Sequence, residues 1–575
     1  MVNVKNLFGM AVMATALVGC ASNDDLTPNG NENEGNKVGT AYASFKINLP
    51  TTSGTRTDGD PSFNGGDANE YAVNDATLLV FKKDGADYIF KEAVDLGNME
   101  PWQKVTPENN GITTTAKITA KLSSASVNAT DYYALILLNN NGNKVSYPTT
   151  DQKFSVWSQT AVGPTPTSPS VNYLNYDNGF FMANAPKYVA NGEPETLVAI
   201  QNICATQKEA ESRAATTVYV ERGLAKVTLG STSKSNIDIT TGTYNEDHVD
   251  ITGWTLDVTN KYTFPVHVTA GLSTDFANIW KTGVTAGTQH GAKVDRFFDS
   301  NLTEFPRVYW GVDPNYKTPY TTVSECEAQF NMAKKSDFKT GPNVNKPQYC
   351  LENTFDIAHM LQGQTTRVLF SAIYKPKGFH ANETFYKMGN NSQLWKETDV
   401  IAQIKAKAME VLGEADGSKV EVKLDAVDND LTAAGIHLVK DVNVLHNSTK
   451  IASGKADEIN TKLGFKAASG TGPMVGLSTY ANGESYYIAR IKHFNELTPW
   501  NAGDLTYNDS NIDWLGRYGV LRNNWYELSV NSVSGPGYPD IPKVEPTEPD
   551  DENSKYINVE VKILDWAKRT QKVDL

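Results

Sequence analysis

Alternation of apolar and polar residues is the feature that most constrains how this chain can fold. In the segment 41–49 the apolar residues occupy every second position, namely Ala41, Ala43, Phe45, Ile47 and Leu49. This period of two predicts a β-strand with one buried face, because successive side chains in a strand point to opposite sides. The segment 132–138 (YYALILL) is apolar throughout, which is typical of a strand buried on both faces.

The same kind of pattern recurs along most of the chain. Further strands are predicted at residues 76–81, 116–122, 216–229, 253–258, 265–268, 307–310, 367–374, 485–491 and 525–530. Asn482-Gly483 predicts a hairpin turn, since both residues accept the positive φ angles of tight turns. The chain is therefore predicted to be all-β.

One segment departs from this pattern and predicts a helix inserted in the C-terminal half. Val400, Ile404 and Ala408 repeat at helical spacing, with Thr398 as the expected N-cap and Gly413 as the expected C-cap. A helix with a single apolar stripe is expected to lie on a sheet and bury that stripe.

The N-terminus predicts export. Lys5 precedes an apolar run, Leu7–Val18, whose length as a helix is about 18 Å, well short of the roughly 30 Å of a bilayer core. Residues 1–19 are therefore expected to be a signal peptide. The residues around Cys20 resemble the lipobox of bacterial lipoproteins, in which this Cys is acylated. Residues 20–40 are polar and acidic and predict a disordered tether.

Composition limits the partners and the number of domains. The chain has 52 Lys and Arg against 66 Asp and Glu, a net charge of −14 that is spread along the sequence. This balance argues against nucleic acid as a partner. The roughly 555 residues after the signal peptide exceed what one core organises and predict two to four domains.

The cysteines and acidic residues predict no cofactor or metal. Cys204, Cys326 and Cys350 match no zinc spacing, and Cys326 and Cys350 are compatible with a disulfide or with two buried thiols. The acidic stretch 425–430 lacks the Gly and Glu of a calcium loop.

No catalytic set is recognisable, so the chain is predicted not to be an enzyme. The eight histidines are scattered, and neither an HExxH pair, a GxSxG elbow nor a phosphate-binding loop is present. Glu352, Asp356 and His359 lie close in sequence and are interpreted as surface and cap residues.

Both ends of the chain carry a strand that a polar segment sets off from the rest. Residues 536–555 are rich in proline and acids and predict an extended, flexible spacer. Residues 556–575 then alternate again, with Leu564 and Trp566 on the opposite face after a phase slip. The residues expected to bind a foreign sheet edge are Ile557, Val559, Val561, Ile563, Leu564 and Trp566.

Arg56 follows the N-terminal strand in a loop of Gly, Thr, Ser and Asp, the kind of site that proteases cut. Cleavage between Arg56 and Thr57 would release residues 41–56 with the tether, and Arg213 is a weaker competitor. The sequence equally allows that Arg56 is a solvated loop residue and that both terminal strands belong permanently to their own sheets.

Four segments resemble the Bacteroidetes fimbrillins, in particular the Mfa type. They are VERGLAKVTL (220–229), YCLENTF (349–355), YGVLRNNWYELSVNSVSGPGYP (518–539) and INVEVKILDW with the final VDL (557–575). The resemblance implies two transthyretin-like β-sandwich domains, placed at 57–214 and 215–535. It also implies export as an outer-membrane lipoprotein that is acylated at Cys20.

The resemblance further implies assembly by donor-strand exchange. Proteolysis after Arg56 would remove the strand 41–49, and residues 556–575 of another subunit would take its place in a cell-surface fimbria that supports adhesion or biofilm formation. The implied partners are other fimbrial subunits, the outer membrane through the lipid, and a processing protease. Thr57 stands where a small apolar residue is expected, which leaves the protease unidentified.

Two other functions share the same sequence features. A surface lipoprotein adhesin or glycan-binding protein that never polymerises has the same anchor and sandwiches, and the 26 Tyr and 10 Trp suit sugar stacking as well as core packing. An enzyme on a β-sandwich would need a cleft with paired carboxylates, which no local spacing predicts.

Overall fold

The computed structural model describes residues 40–49, 70, 72–97, 115–140, 144–164, 179–187, 194–270, 308, 310–316, 320–354, 359–469, 473–491, 518–550 and 556–565. The predicted signal peptide, Cys20, Arg56 and Thr57 lie outside these residues. Within them, no helix has both the length and the apolar character needed to cross a membrane.

Most described elements are strands, which confirms the all-β prediction. The strands are β1 Ala41–Asn48, β2 Ala76–Asp84, β3 Asp87–Asp95, β4 Thr115–Leu122, β5 Tyr132–Leu138, β6 Met182–Asn184, β7 Val198–Ala199, β8 Thr216–Arg222, β9 Leu224–Leu229, β10 Asn236–Asp238, β11 His248–Asp257, β12 Thr259–Asn260, β13 Phe330–Asn331, β14 Lys339–Thr340, β15 Gln348–Leu351, β16 Arg367–Lys375, β17 Phe385–Met388, β18 Leu394–Trp395, β19 Val420–Val422, β20 Asp425–Ala426, β21 Asn429–Asp430, β22 Gly435–His437, β23 Val444–His446, β24 Thr449–Lys450, β25 Leu477–Tyr480, β26 Glu484–Arg490, β27 Asn524–Val533 and β28 Ile557–Asp565.

The helices are short, apart from one. They are α1 Phe154–Ser158, α2 Gln207–Ser212, α3 Val323–Gln329, α4 Glu397–Leu412 and α5 Lys455–Leu463, with 3-10 turns at Lys335–Asp337, Gly341–Asn343, Gly417–Lys419, Asp441–Asn443 and Ala481–Gly483.

The chain divides into two compact units. Unit 1 comprises Met1–Leu224, Tyr262–Pro314 and Asp565–Leu575, and unit 2 comprises Ala225–Lys261 and Asn315–Leu564. The boundary therefore falls at Leu224, ten residues beyond the predicted one, because β8 pairs with β6 and β1 in the sheet of unit 1.

Unit 1 is organised by one eight-stranded sheet. Its strand order is β3-β2-β5-β6-β8-β1-β4, with β7 on β5. β5 lies inside this sheet, and Ala134–Leu138 are completely buried, as the apolar run predicts. The N-terminal strand β1 is also internal, and its two neighbours are β8 and β4.

Unit 2 contains two sheets that share one core. The sheet β10-β11-β16-β26 and the sheet β15-β9-β27-β28 both contribute buried residues to it. On β16, for example, Val368, Phe370, Ala372 and Tyr374 alternate inward. Two sheets around a common core form a β-sandwich, and the transthyretin-like topology stays a prediction.

A separate module is inserted between β16 and β26, which are neighbouring antiparallel strands. It has its own core, to which α4 contributes Val400, Ile404 and Ala408, as predicted. Gly413 ends α4 in the left-handed region at φ 64°, also as predicted. The predicted N-cap is wrong, because Lys396 occupies that position and Thr398 lies in the first turn.

Four other local predictions need correction. The predicted strand 216–229 is interrupted at Gly223, and 265–268 forms no strand. Asn482 and Gly483 do adopt positive φ angles, 54° and 76°, but their turn joins β25 and β26, which pair with strands of different sheets. Residues 536–550 are half-buried or buried at most positions instead of running free, and a turn at 546–547 with a Glu548 N–H to Glu545 carbonyl hydrogen bond interrupts the predicted extended chain.

Candidate assembly site at the two terminal strands

β1 is hydrogen-bonded along both of its edges. It pairs antiparallel with β4 from Ala41 to Asn48 and parallel with β8 from Phe45 to Asn48. Nearer its start, Tyr42 exchanges two backbone hydrogen bonds with Cys204, at 2.9 and 2.8 Å. A strand with partners on both sides leaves an open slot in the sheet when it is withdrawn.

The apolar face of β1 is part of the core of unit 1. Ala41, Ala43, Phe45, Ile47 and Leu49 are each at most 1% exposed, which confirms the face predicted from their alternation. Burying side chains such as Phe45, Ile47 and Leu49 is worth about 1.5–3 kcal/mol each. The slot left by β1 would therefore be deep and apolar, and it would need an equally apolar strand to fill it.

The opposite face of β1 is covered by the short helix α2. Ser44 is 2% exposed, and its hydroxyl donates to the carbonyl of Ala210 in α2 at 2.8 Å and lies 2.7 Å from the Thr119 hydroxyl of β4. The Thr206 hydroxyl accepts from the backbone N–H of Glu209 and thus caps α2. Ser44 and α2 were not predicted, because their contact joins residues far apart in sequence.

The two arginines considered for proteolysis differ in setting. Arg56 and Thr57 lie outside the described residues. Arg213 follows the last residue of α2, and its partly exposed side chain forms an ion pair with Glu209 at 2.5 Å. Arg213 is thus part of an ordered helix terminus.

β28 lies at the edge of its sheet and pairs with β27. Ile557 is 5% exposed and belongs to the core of unit 2, and Val559 packs against that core. The N–H of Ser534 donates to the carbonyl of Tyr556 at 2.7 Å, just before the strand begins. Val561, Ile563 and Leu564 lie within β28, and Trp566 lies outside the described residues.

Tyr556 precedes β28 in the left-handed region, at φ 67°. This conformation is unfavourable for a residue other than glycine, at about 1–2 kcal/mol. Its ring packs edge-on against the Tyr244 ring, with 5.8 Å between the ring centroids. Both rings also contact Gly535, where an added Cβ would lie only 2.6–2.7 Å from their atoms. Contacts of the ring therefore hold a strained backbone at the start of the strand.

Three of the four fimbrillin-like segments, 220–229, 349–355 and 518–539, contact one another in unit 2. Glu352 and Arg522 form a buried ion pair at 3.3 Å, and their neighbours Asn353 and Val520 pair as an antiparallel bridge. The ammonium of Lys226 lies 3.7 Å from the Trp525 ring centroid, and the Trp525 indole N–H donates to Thr228. Glu352 is thus buried and paired, so its interpretation as a surface residue is wrong.

Polar groups elsewhere also have structural partners. His359 is 5% exposed, which corrects its interpretation as a surface residue, and Asp356 lies outside the described residues. In unit 1, His267 is buried between the Glu221 carboxylate, 2.7 Å from Nδ1, and the Trp310 carbonyl, 3.0 Å from Nε2. The described part of the chain contains no cluster of His, Cys, Asp and Glu able to hold a metal ion.

Cys204, Cys326 and Cys350 are free, buried thiols, so the structure decides against the disulfide. Burial raises the pKa of Cys326 to about 11 and that of Cys350 to about 12, and it also raises the pKa of Cys204. Thiols with such pKa values carry little thiolate at neutral pH and are poor nucleophiles.

The terminal strands and the sheets around them define an all-β protein of two compact units. Residues 478–572 match the family model described as "Major fimbrial subunit protein type IV, Fimbrillin, C-terminal". The chain therefore carries a region that matches the fimbrillin C-terminal family, which confirms the predicted resemblance to fimbrillins over these residues. That region includes β26, β27 and β28. A comparison with curated proteins found no match.

Several solved structures are similar over most of their length. A cell adhesion protein from Parabacteroides distasonis, described as putative, is 10% identical, with 92% of this chain and 99% of that chain covered and a TM-score of 0.36. A fimbrilin from Porphyromonas gingivalis is 11% identical, with 92% and 99% covered and a TM-score of 0.35. The tip fimbrial protein Mfa3 from Porphyromonas gingivalis is 10% identical, with 91% and 100% covered and a TM-score of 0.28. The similarity to fimbrillins therefore rests on the match of residues 478–572.

Proposed function

We propose that the chain is a non-enzymatic structural subunit of a cell-surface fimbria that polymerises by strand exchange. The precursor is exported to the outer membrane as a lipoprotein acylated at Cys20 and is cut after Arg56. The strand 41–49 then leaves unit 1, and residues 556–575 of a second copy take its place. The family match of residues 478–572 supports a fimbrial role.

The observation that carries this proposal is the contrast between β1 and β28. β1 is an internal strand whose loss opens an apolar slot between β4 and β8, whereas β28 is an edge strand with alternating apolar residues. Adding a strand to such a slot restores the hydrogen-bond ladder on both sides and fills the pockets.

Cleavage gives the exchange its direction. While β1 is covalently joined to unit 1, its effective concentration at the slot is on the order of millimolar or higher. After cleavage, a β1 strand that leaves the slot is diluted into solution, so it no longer competes with the donor strand at this high effective concentration. The donor strand, by contrast, remains attached to its own subunit and tethers the two copies.

The non-polymerising surface adhesin remains the second candidate, and one observation favours it. Ile557 is buried in its own subunit, and β28 is paired with β27. A strand with these contacts is also compatible with a permanent place in unit 2.

One experiment separates the two functions. The full-length protein is treated with an arginine-specific protease, cleavage is followed by mass, and polymers are detected as ladders in SDS gels of unboiled samples. Under strand exchange, ladders form with the native protein and with Arg213→Ala. They are absent with Arg56→Ala and with a chain that ends at Asn553. Cleavage at Arg56 that leaves the native protein monomeric would overturn strand exchange and make the adhesin the leading candidate.

A further inference from the structure

The chain between β27 and β28 is docked on unit 2 over sixteen residues, 535–550, which we call the strap. Prolines and Val544 face inward along it, and Asp550 at its end is 0% exposed. A flexible spacer would have no such regular burial. The contacts of the strap fall into three groups along its length.

The first group holds the beginning of the strap against β26. Tyr538 exchanges two backbone hydrogen bonds with Tyr486, at 2.9 and 2.7 Å. The Tyr487 hydroxyl donates to the carbonyl of Gly535 at 3.1 Å, and the Tyr480 hydroxyl donates to that of Gly537 at 2.9 Å. A Cβ on Gly537 would lie 2.1 Å from the Tyr486 carbonyl oxygen, so this close approach requires glycine.

The second group anchors the middle of the strap through a buried charge. Arg367 is 1% exposed, and its Nη2 donates to the carbonyl of Pro542 at 2.6 Å while its Nε pairs with Asp257 at 2.8 Å. Hydrogen bonds from a buried charged donor are among the strongest in proteins. Next to it, Val544 enters a small core that also contains Cys326 and Phe330.

The third group fixes the end of the strap. The Asp550 N–H donates to the carbonyl of Met360 at 3.0 Å, and the Asp550 carboxylate accepts from the Thr365 hydroxyl at 3.0 Å. Two residues earlier, the carbonyl of Glu548 accepts from the N–H of Gln362 at 2.9 Å. A carboxylate that is completely buried is costly to hold unless its partners are retained.

We propose that the strap stays docked on its own subunit during strand exchange, so that only the chain after Asp550 transfers to the second copy. This inference rests on the proposed function. Release of the strap would break all three groups of contacts and uncover a buried aspartate and arginine. Release of β28 alone frees one edge of one sheet.

A docked strap limits how far apart two copies can lie. Ile557 follows Asp550 by seven residues, which span at most about 25 Å when fully extended, whereas a strand freed from Ser534 onward would reach about 80 Å. The slot of the second copy must therefore begin within about 25 Å of Asp550. The surface around this end is the predicted contact with the next subunit.

A reversible disulfide between strap and body tests this inference. Tyr486 and Tyr538 exchange both backbone hydrogen bonds, an arrangement whose Cα separation of about 5.5 Å is within disulfide range. The full-length double variant Tyr486→Cys/Tyr538→Cys is cleaved and assembled in its oxidised and reduced forms. We expect equal polymer yields. Polymers from the reduced form alone would overturn the inference, because they would mean that the strap must open.

Hydrogen exchange on the native protein provides the second measurement and does not depend on the variant. In the polymer we expect the Ser534 amide to lose the protection that Tyr556 gives it, while the Tyr538 and Asp550 amides remain as protected as in the monomer. Loss of protection at all three overturns the docked strap and leaves strand exchange intact. If cleaved native protein forms no polymer, the proposed function itself fails, and the role of the strap in exchange fails with it.

Discussion

β1 and β28 have the same alternating pattern but opposite positions in their sheets. β1 is bonded on both edges, and its apolar residues are at most 1% exposed. β28 is an edge strand, and Val559 in it is only half-buried. An internal strand opens only with the sheet around it, whereas an edge strand can detach alone. The difference implies that β28 is the element ready to move and that β1 must be displaced.

The largest expected effect comes from truncating the core residue of β1. Phe45→Ala should lower the free energy of unfolding of unit 1 by about 3–5 kcal/mol, because it leaves a cavity in a completely buried site. Denaturant unfolding monitored by hydrogen exchange measures this, and amides of β4 and β8 should lose protection together. Lys46→Ala, at an exposed position of the same strand, is the control. Loss of protection confined to β1 would mean that this strand frays like an edge.

The corresponding change in β28 should act locally. Ile557→Ala should destabilise the docked strand by about 2–4 kcal/mol. We expect a value near the lower end of this range, because Ile557 lies in an edge strand. Exchange of the Ser534 amide should then accelerate roughly 30-fold or more, while the rest of unit 2 keeps its protection. Asn558→Ala, whose side chain is exposed, should leave the rate unchanged. Global unfolding of unit 2 would show that β28 is an integral strand.

The two terminal strands also show what the sequence can and cannot specify. The segments 41–49 and 556–575 contain β1 and β28 because a period of two is a local signal that needs no knowledge of neighbours. Whether a strand is internal or at an edge depends on distant partners such as Cys204 and β8, which lie well over a hundred residues from β1.

The strap illustrates the same limit. Its prolines and acids predict an extended chain, but the backbone bends at 539–540 and turns at 546–547. They do not predict docking, since the anchors Arg367 and Thr365 belong to a strand and a turn almost two hundred residues earlier. The burial of Glu352 was missed for the same reason, because its partner Arg522 is remote in sequence.

Cys204 provides a chemical reporter of β1. Its thiol is 1% exposed and its pKa is raised by burial, so it should resist alkylation in the intact protein. Removal of β1 eliminates the backbone partner Tyr42 and should increase the alkylation rate of Cys204 by about tenfold or more. Mass spectrometry after cleavage at Arg56 measures this, with Cys350 in unit 2 as the internal control. An unreactive Cys204 in cleaved, unpolymerised protein would mean that β1 stays in place.

The smallest expected effect concerns the face of β1 that carries Ser44 and contacts α2. Ser44→Ala removes the hydroxyl that donates to Ala210 and leaves that carbonyl buried without this donor. The expected loss is about 1–2 kcal/mol in the free energy of unfolding of unit 1, since an unsatisfied buried acceptor costs more than the hydrogen bond itself. Ser44→Thr, which keeps the hydroxyl, is the matched variant for thermal and denaturant unfolding. If Ser44→Ala is neutral, α2 does not hold β1, and the apolar face alone retains this strand until a donor displaces it.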